Sequence, residues 1–354
     1  MGIFGTAHAA GLFLAGLLTL NSRPDPAATP GQPPPAGKRS FSARASVIDP
    51  MARAHPELGF LLEKGGKPAD LQQASVDTRV TPRGRLVIWL MGHNPGLFDR
   101  LSGYGLHAIR VHYANGWFGT LGKEPPPADE KYLGKIRLEA ATGQDFSPAV
   151  DIPLADGMAQ RALLFVRWLA REDPASHWEQ FLTDDQAALR WDKVIVAGAS
   201  HGATTAARFA IHRKVDRVVL FCGPRDQYEN WQALPSATPA NRYFGFSHTL
   251  DTGWVGNHYC RSWEMLGLNR FGPQVDVDAT PAPYGFSRQL LTRAEVRNDA
   301  KRAHGCVTPG SAALQEASGA FIHEKVWEYL FTQPVEQVGQ PVPAQPDCRL
   351  QLRK

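Results

Sequence analysis

Apolar residues along this chain come in short unbroken runs separated by longer mixed stretches. Three runs stand out: "LVIWLMG" (Leu86 to Gly92), "KVIVAGA" (Lys193 to Ala199) and "RVVLFCG" (Arg217 to Gly223). Each is rich in β-branched residues and stops at a small one. A strand that is apolar on both faces is buried on both, as in a parallel sheet covered by helices. "HAIRVHYA" (His107 to Ala114) alternates more, and "RYFGFSH" (Arg242 to His248) and "RQLLTR" (Arg288 to Arg293) are weaker strand candidates.

Between these runs the apolar period lengthens. "DGMAQRALLFVRWLARE" (Asp156 to Glu172) sets Met158, Ala162, Leu163, Val166, Leu169 and Ala170 at helical spacing, with Asp156 placed to cap its first turn. "HGATTAARFAIHRK" (His201 to Lys214) follows the third strand without a gap, and "IHEKVWEYLF" (Ile322 to Phe331) reads as an amphipathic last helix. Strands alternating with helices predict an α/β fold with a mostly parallel central sheet flanked by helices. The expected domain runs over 41–334. A leader and a Pro-rich linker occupy 1–40, and an extended tail occupies 335–354. The segment 251–286, which holds Trp254, Tyr259, Trp263, Phe271, Tyr284 and Phe286, is expected to form an apolar cap over a site.

The junction of the third strand and its helix carries the chemistry. "GASHG" (Gly198 to Gly202) fits G-x-S-x-G. In that motif the serine sits on a tight strand-to-helix turn, and the residues two before and two after it must lack side chains. The turn sets the hydroxyl at a helix N-terminus, where free amides and the helix dipole stabilise negative charge. A serine hydroxyl is a poor nucleophile without a base, and the base needs a carboxylate to orient it.

At this point the sequence resembles the α/β-hydrolase superfamily, and more narrowly a group of secreted bacterial serine hydrolases of loosely defined substrate. The resemblance runs from about Leu86 to Leu330. It rests on "LVIWLMGHNPG", "DGMAQRALLFVRWL", "WDKVIVAGASHGA", "RVVLFCGPRD", "FSHTLD" and "AHGCV" followed by "VWEYLF". It implies the chain order Ser, acid, His. Ser200 is then the nucleophile. Asp251, the first carboxylate after "RYFGFSH", is the expected acid, with Asp226 one strand earlier as its rival and a turn residue otherwise. His304, expected in a loop after the last strand, is the base. His201 supplies one oxyanion amide, and Gly92, His93 or Asn94 supplies the second. Pro95 has no N–H to give. His248 and His258 flank Asp251 and could line the site, while His323 is expected to pack or face solvent inside the final helix.

Composition narrows the rest. The 354 residues are 43% hydrophobic and 20% charged, with a net charge of +4 spread along the chain. That is an ordinary globular balance, and without a basic cluster it gives nucleic-acid binding no support. "AAGLFLAGLLTL" (Ala9 to Leu20) suits the core of a secretory signal, although no Lys or Arg precedes it; an uncleaved anchor is the alternative, and the only membrane attachment expected. The expected location is therefore secreted or periplasmic. The four cysteines, Cys222, Cys260, Cys306 and Cys348, lack zinc-site spacing and permit two disulfides in three connectivities. A Cys260–Cys306 bridge would brace Asp251 and His304. The histidines are scattered, and neither a metal nor a cofactor is expected.

The reading is a serine hydrolase of small or polymeric esters. An amidase, a peptidase or an acyltransferase would use the same triad, and a binding protein could keep the sheet without the chemistry.

Overall fold

The computed structural model describes residues 35–122, 128–226, 230–256 and 258–345. All but Pro35 belong to one compact unit, Ala36–Lys354. The signal-like run at Ala9 to Leu20 and Cys348 lie outside the described residues. Among those described, no helix is long and apolar enough to cross a membrane.

Nine strands form the main sheet: β1 (Lys38–Arg44), β2 (Leu71–Asp77), β3 (Leu86–Trp89), β4 (His107–Arg110), β5 (Val194–Ala199), β6 (Arg217–Phe221), β7 (Tyr243–His248), β8 (Gln274–Asp276) and β9 (Gln289–Thr292). Their order across the sheet is β1-β2-β4-β3-β5-β6-β7-β9-β8. β2 pairs antiparallel with β1 and β4, and every other pairing is parallel. The apolar runs sit in the middle. Leu86, Val87, Ile88, Val194, Val196, Val218, Val219 and Leu220 are fully buried, as expected of strands covered on both faces.

The main helices are α1 (Pro95–Gly103), α2 (Tyr132–Thr142), α3 (Met158–Glu172), α4 (His201–His212), α5 (His258–Met265), α6 (Ala300–Cys306) and α7 (Glu324–Thr332). α4 packs on β5 and β6, α2 packs on α4, and α1 packs on β2 and β4. The α/β class with a mostly parallel sheet and flanking helices is therefore as the alternation predicts. The strand order, with a reversal after β4 and the serine turn after β5, is that of the α/β-hydrolase fold.

Several local expectations need correction. Asp156 does not cap α3; Gly157 stands at that position and makes no side-chain cap. Asp156 is buried instead, where it pairs with Arg161 and accepts from the Arg53 amide at 3.0 Å, with His55 Nε2 2.8 Å away. β1 already begins at Lys38, inside the segment assigned to the linker. The 251–286 segment carries α5 and also β8, which joins the sheet edge beside β9. α5 lies against β7, because Gly245 leaves room for the Trp263 ring: a Cβ there would stand 2.5 Å from Trp263 Cε2.

Candidate active site

The carboxyl ends of β3, β5, β6 and β7 converge, the usual place for a site in an open α/β sheet. Ser200 follows β5 directly. Its backbone lies at φ 51°, ψ −114°, a strained conformation for a residue with a side chain. The strain is held from both sides. Ser200 N donates to Phe221 O at 2.8 Å, and Ser200 O accepts from Thr204 N at 3.0 Å and Thr204 Oγ1 at 2.8 Å. Both motif glycines are required by contact. A Cβ on Gly198 would lie 2.3 Å from the Gly202 carbonyl carbon, and a Cβ on Gly202 would lie 2.3 Å from Leu90 O. Serine is a good N-cap residue, yet the Ser200 hydroxyl makes no capping bond to α4. The oxygen is left available at the helix start.

His304 and Asp251 meet. Asp251 is fully buried, and its Oδ2 lies 2.5 Å from His304 Nδ1. Asp251 Oδ1 accepts from the Gly253 amide at 2.8 Å and the Tyr259 hydroxyl at 2.9 Å. Burial alone would raise this carboxyl, but the bond and charge of His304, the amide and the phenol outweigh it. The acid is held below its ordinary value. Ionised, it accepts from Nδ1–H and leaves Nε2 as the basic nitrogen. His304 stands on the short helix α6 rather than in a loop, with Asp299 capping that helix through Lys301 N and Arg302 N. Its side chain is one-third exposed. Among the described residues no hydrogen bond joins the Ser200 hydroxyl to His304; in a free enzyme such bonds are often longer than in the substrate complex.

Asp226 is engaged elsewhere. Its carboxylate takes both arms of Arg137, Nε at 2.6 Å and Nη2 at 2.5 Å, and the Trp231 indole N–H at 3.0 Å. His248 is buried between Ala294 O, 2.8 Å from Nε2, and the Leu250 amide, 2.9 Å from Nδ1. It supports the turn into Asp251 and does not line a cleft. His258 heads α5. His323 immediately precedes α7, buried, with Nε2 3.1 Å from Thr292 Oγ1.

The expected amide sources are His201 and the loop after β3. His201 opens α4, whose first-turn amides have no intrahelical acceptor. Across from it, Leu90 and Met91 press on Gly202. Gly92 and His93 are exposed beyond them, and the Gly92 carbonyl takes the Trp89 indole N–H at 2.9 Å. Asn94 caps α1, accepting from Leu97 N at 3.0 Å and donating to Pro309 O at 2.5 Å. Met91, one residue before the expected trio, is the part of this loop in contact with the elbow.

Two further neighbours escaped the sequence reading. Tyr259 counted there only as an aromatic of the cap. Cys222, read only as a potential disulfide partner, stands at φ 50° after β6 and donates from Sγ to His304 O at 3.2 Å. Cys222, Asp251 and His304 are the one group among the described residues with enough donors close together for a metal ion. The arrangement does not suit one. Two ligand atoms each about 2.0–2.1 Å from a tetrahedral ion stand about 3.3 Å apart, whereas Nδ1 and Oδ2 are at hydrogen-bond contact. Cys222 and Cys306 are free, buried thiols, so the expected Cys260–Cys306 bridge is not formed.

No protein-family model matches the sequence, and no curated protein does. Among solved structures the chain is similar to a protein assigned as a dienelactone hydrolase from Klebsiella pneumoniae: 11% identity, TM-score 0.38, covering 84% of this chain and 99% of that one. It is also similar to an α/β serine hydrolase homologue from Coxiella burnetii, at 17% identity and TM-score 0.28, covering 52% and 72%. A serine hydrolase without a lid from Xanthomonas campestris gives 11% identity and TM-score 0.27, covering 51% and 67%. The fold itself stands on the chain's own strand order and elbow: it is that of the α/β-hydrolases.

Proposed function

We propose that this protein is a serine hydrolase that cleaves carboxylic esters through an acyl-enzyme. One observation carries the reading. A serine held in a strained elbow with its hydroxyl uncommitted shares a sheet edge with an imidazole already oriented by a buried carboxylate. Ser200 Oγ attacks the acyl carbonyl while His304 Nε2 takes its proton. The oxyanion is met by the His201 amide and by an amide of the Met91–Asn94 loop, from Met91, Gly92, His93 or Asn94. His304 then protonates the leaving group, Asp251 stabilises the imidazolium, and water releases the acyl group by the reverse path. The side chains of Phe118, Leu250 and Val255 are apolar and exposed. Phe118 lies on the His201 ring and the other two flank Asp251 in sequence; they suit an apolar acyl or alcohol group.

The secretory reading of Ala9 to Leu20 belongs to the same proposal, together with a Cys260–Cys348 disulfide. With Cys222 and Cys306 free, these two cysteines remain, and Gln345 Oε1 comes within 3.7 Å of Cys260 Sγ.

Labelling with a fluorophosphonate tests the reading. Wild type should be modified at Ser200, and Ser200→Ala should not be. A wild type that stays unlabelled while folded removes the triad mechanism.

A further inference from the structure

The residue after the nucleophile is held by a buried charge pair. Arg137 on α2 and Asp226 after β6 are each 1% exposed at the side chain. The carboxylate takes Nε and Nη2 of the guanidinium. The remaining arm, Nη1, reaches α4. It donates to His201 Nδ1 at 2.8 Å, His201 O at 3.1 Å and Thr205 Oγ1 at 3.1 Å. Thr205 Oγ1 also donates to His201 O at 3.2 Å. The imidazole packs edge-on to Trp117 and tilted on Phe118, with centroids 5.1 and 4.5 Å away. Burial first, and then the Arg137 charge, hold it neutral. With Nδ1 accepting, its proton is on Nε2.

Two sets of bonds bracket one peptide plane. The amide that His201 would offer to an oxyanion belongs to the Ser200–His201 peptide. That peptide's carbonyl is tied down by Thr204 N and Oγ1. On the far side of the His201 Cα, the next carbonyl is tied by Arg137 and Thr205, and the side chain by Arg137. A helix terminus otherwise leaves its first residue the freest. Stability alone is a weak reason to bury such a pair, because desolvating two charges offsets much of their attraction.

We infer that Arg137, anchored by Asp226, is a positioning residue for the oxyanion amide of His201. The inference rests on the reading of Ser200 as nucleophile. It gives the His201 side chain and the Asp226 carboxylate one shared task.

The test uses Asp226→Asn, Arg137→Met and Arg137→Lys in the full chain. The readouts are the kinetics of fluorophosphonate labelling at Ser200, the affinity for a phenyl trifluoromethyl ketone, and the melting temperature. The ketone adds reversibly to the serine and places an oxyanion in the hole. We expect the maximal labelling rate to fall about 10- to 100-fold, with the half-saturating probe concentration changed less than about threefold. Ketone affinity should fall by the same factor as the labelling rate, and Arg137→Lys should recover part of both. Folded variants that melt lower but label and bind the ketone within about threefold of wild type would overturn the inference and leave the pair merely structural. If Arg137→Met fails to fold, Asp226→Asn, which keeps the shape and removes the charge, decides. A wild type that does not label fails the proposed function instead.

Discussion

The His304 imidazole and the Asp251 carboxylate stand at 2.5 Å, Nδ1 to Oδ2, although 53 residues separate them in the chain. The contact gives the two candidate acids different fates on mutation. Asp251→Asn keeps the shape but can donate to Nδ1, which turns the imidazole toward the tautomer with its proton on Nε2. That nitrogen can then no longer accept from serine. We expect turnover to fall about 10⁴-fold, the size of loss such a change produces in a Ser-His-Asp triad. Asp226→Asn should keep at least about ten times more activity, since it acts only through Arg137. Ester hydrolysis by the two purified variants checks this, and the reverse ranking would return the acid role to Asp226.

What could be read from the chain follows from how local each signal is. β3, β5 and β6 are legible because a strand buried on both faces is apolar throughout. The elbow is legible because its two glycines answer to contacts within five residues and with the neighbouring strand end. α2 is not legible. It turns Arg137 and Glu139 inward, where Glu139 accepts the Phe146, Ser147 and Ile152 amides, and so breaks the apolar period. The same inward turn hides Arg137. β1 and β2 are missed because polar side chains break up their apolar residues: β1 carries Ser40 and Ser42 on its exposed positions, and β2 buries Gln72 and Ser75. Asp251 follows from chain order, whereas Tyr259 and Cys222 gain their places from packing that no spacing announces.

The glycines of the elbow give a steric prediction. Gly202→Ala would drive a methyl group to 2.3 Å from Leu90 O and 2.9 Å from Met91 Sδ. Backbone cannot yield there without moving the end of β3 and its loop. We expect a loss of about 1–3 kcal/mol in stability, measured by urea unfolding, and a loss of activity larger than the unfolded fraction explains. Gly92→Ala is the control, since nothing lies within 4 Å of its would-be Cβ; it should melt with wild type.

The free thiols should be silent in the native state. Burial raises the Cys222 thiol well above its ordinary value, helped by the Asp251 charge, and raises Cys306 to about 12. Thiolate is the reactive form, so neither should react with iodoacetamide at pH 8 in folded protein. Denatured but unreduced protein should show two reactive thiols, and reduced protein all four cysteines. Four thiols without reduction would remove the proposed Cys260–Cys348 bridge. A native thiol that alkylates at the rate of a free peptide would contradict the burial.

Acid should weaken the fold well before its carboxylates protonate. His323 and His112 are buried. Burial lowers His323 from 6.5 to about 4. Burial and then the charges of Arg110 and Arg161 lower His112 to about 3. Between those values and 6.5 the unfolded chain binds protons that the folded chain refuses. Stability therefore rises with pH across that window and is lost as pH falls through it. The melting temperature should decline from pH 6.5 toward 4, at equal ionic strength. His323→Gln keeps a donor for Thr292 Oγ1 and cannot charge, so its decline should be shallower than that of wild type. Parallel curves for the two proteins would mean that His323 takes up its proton without unfolding.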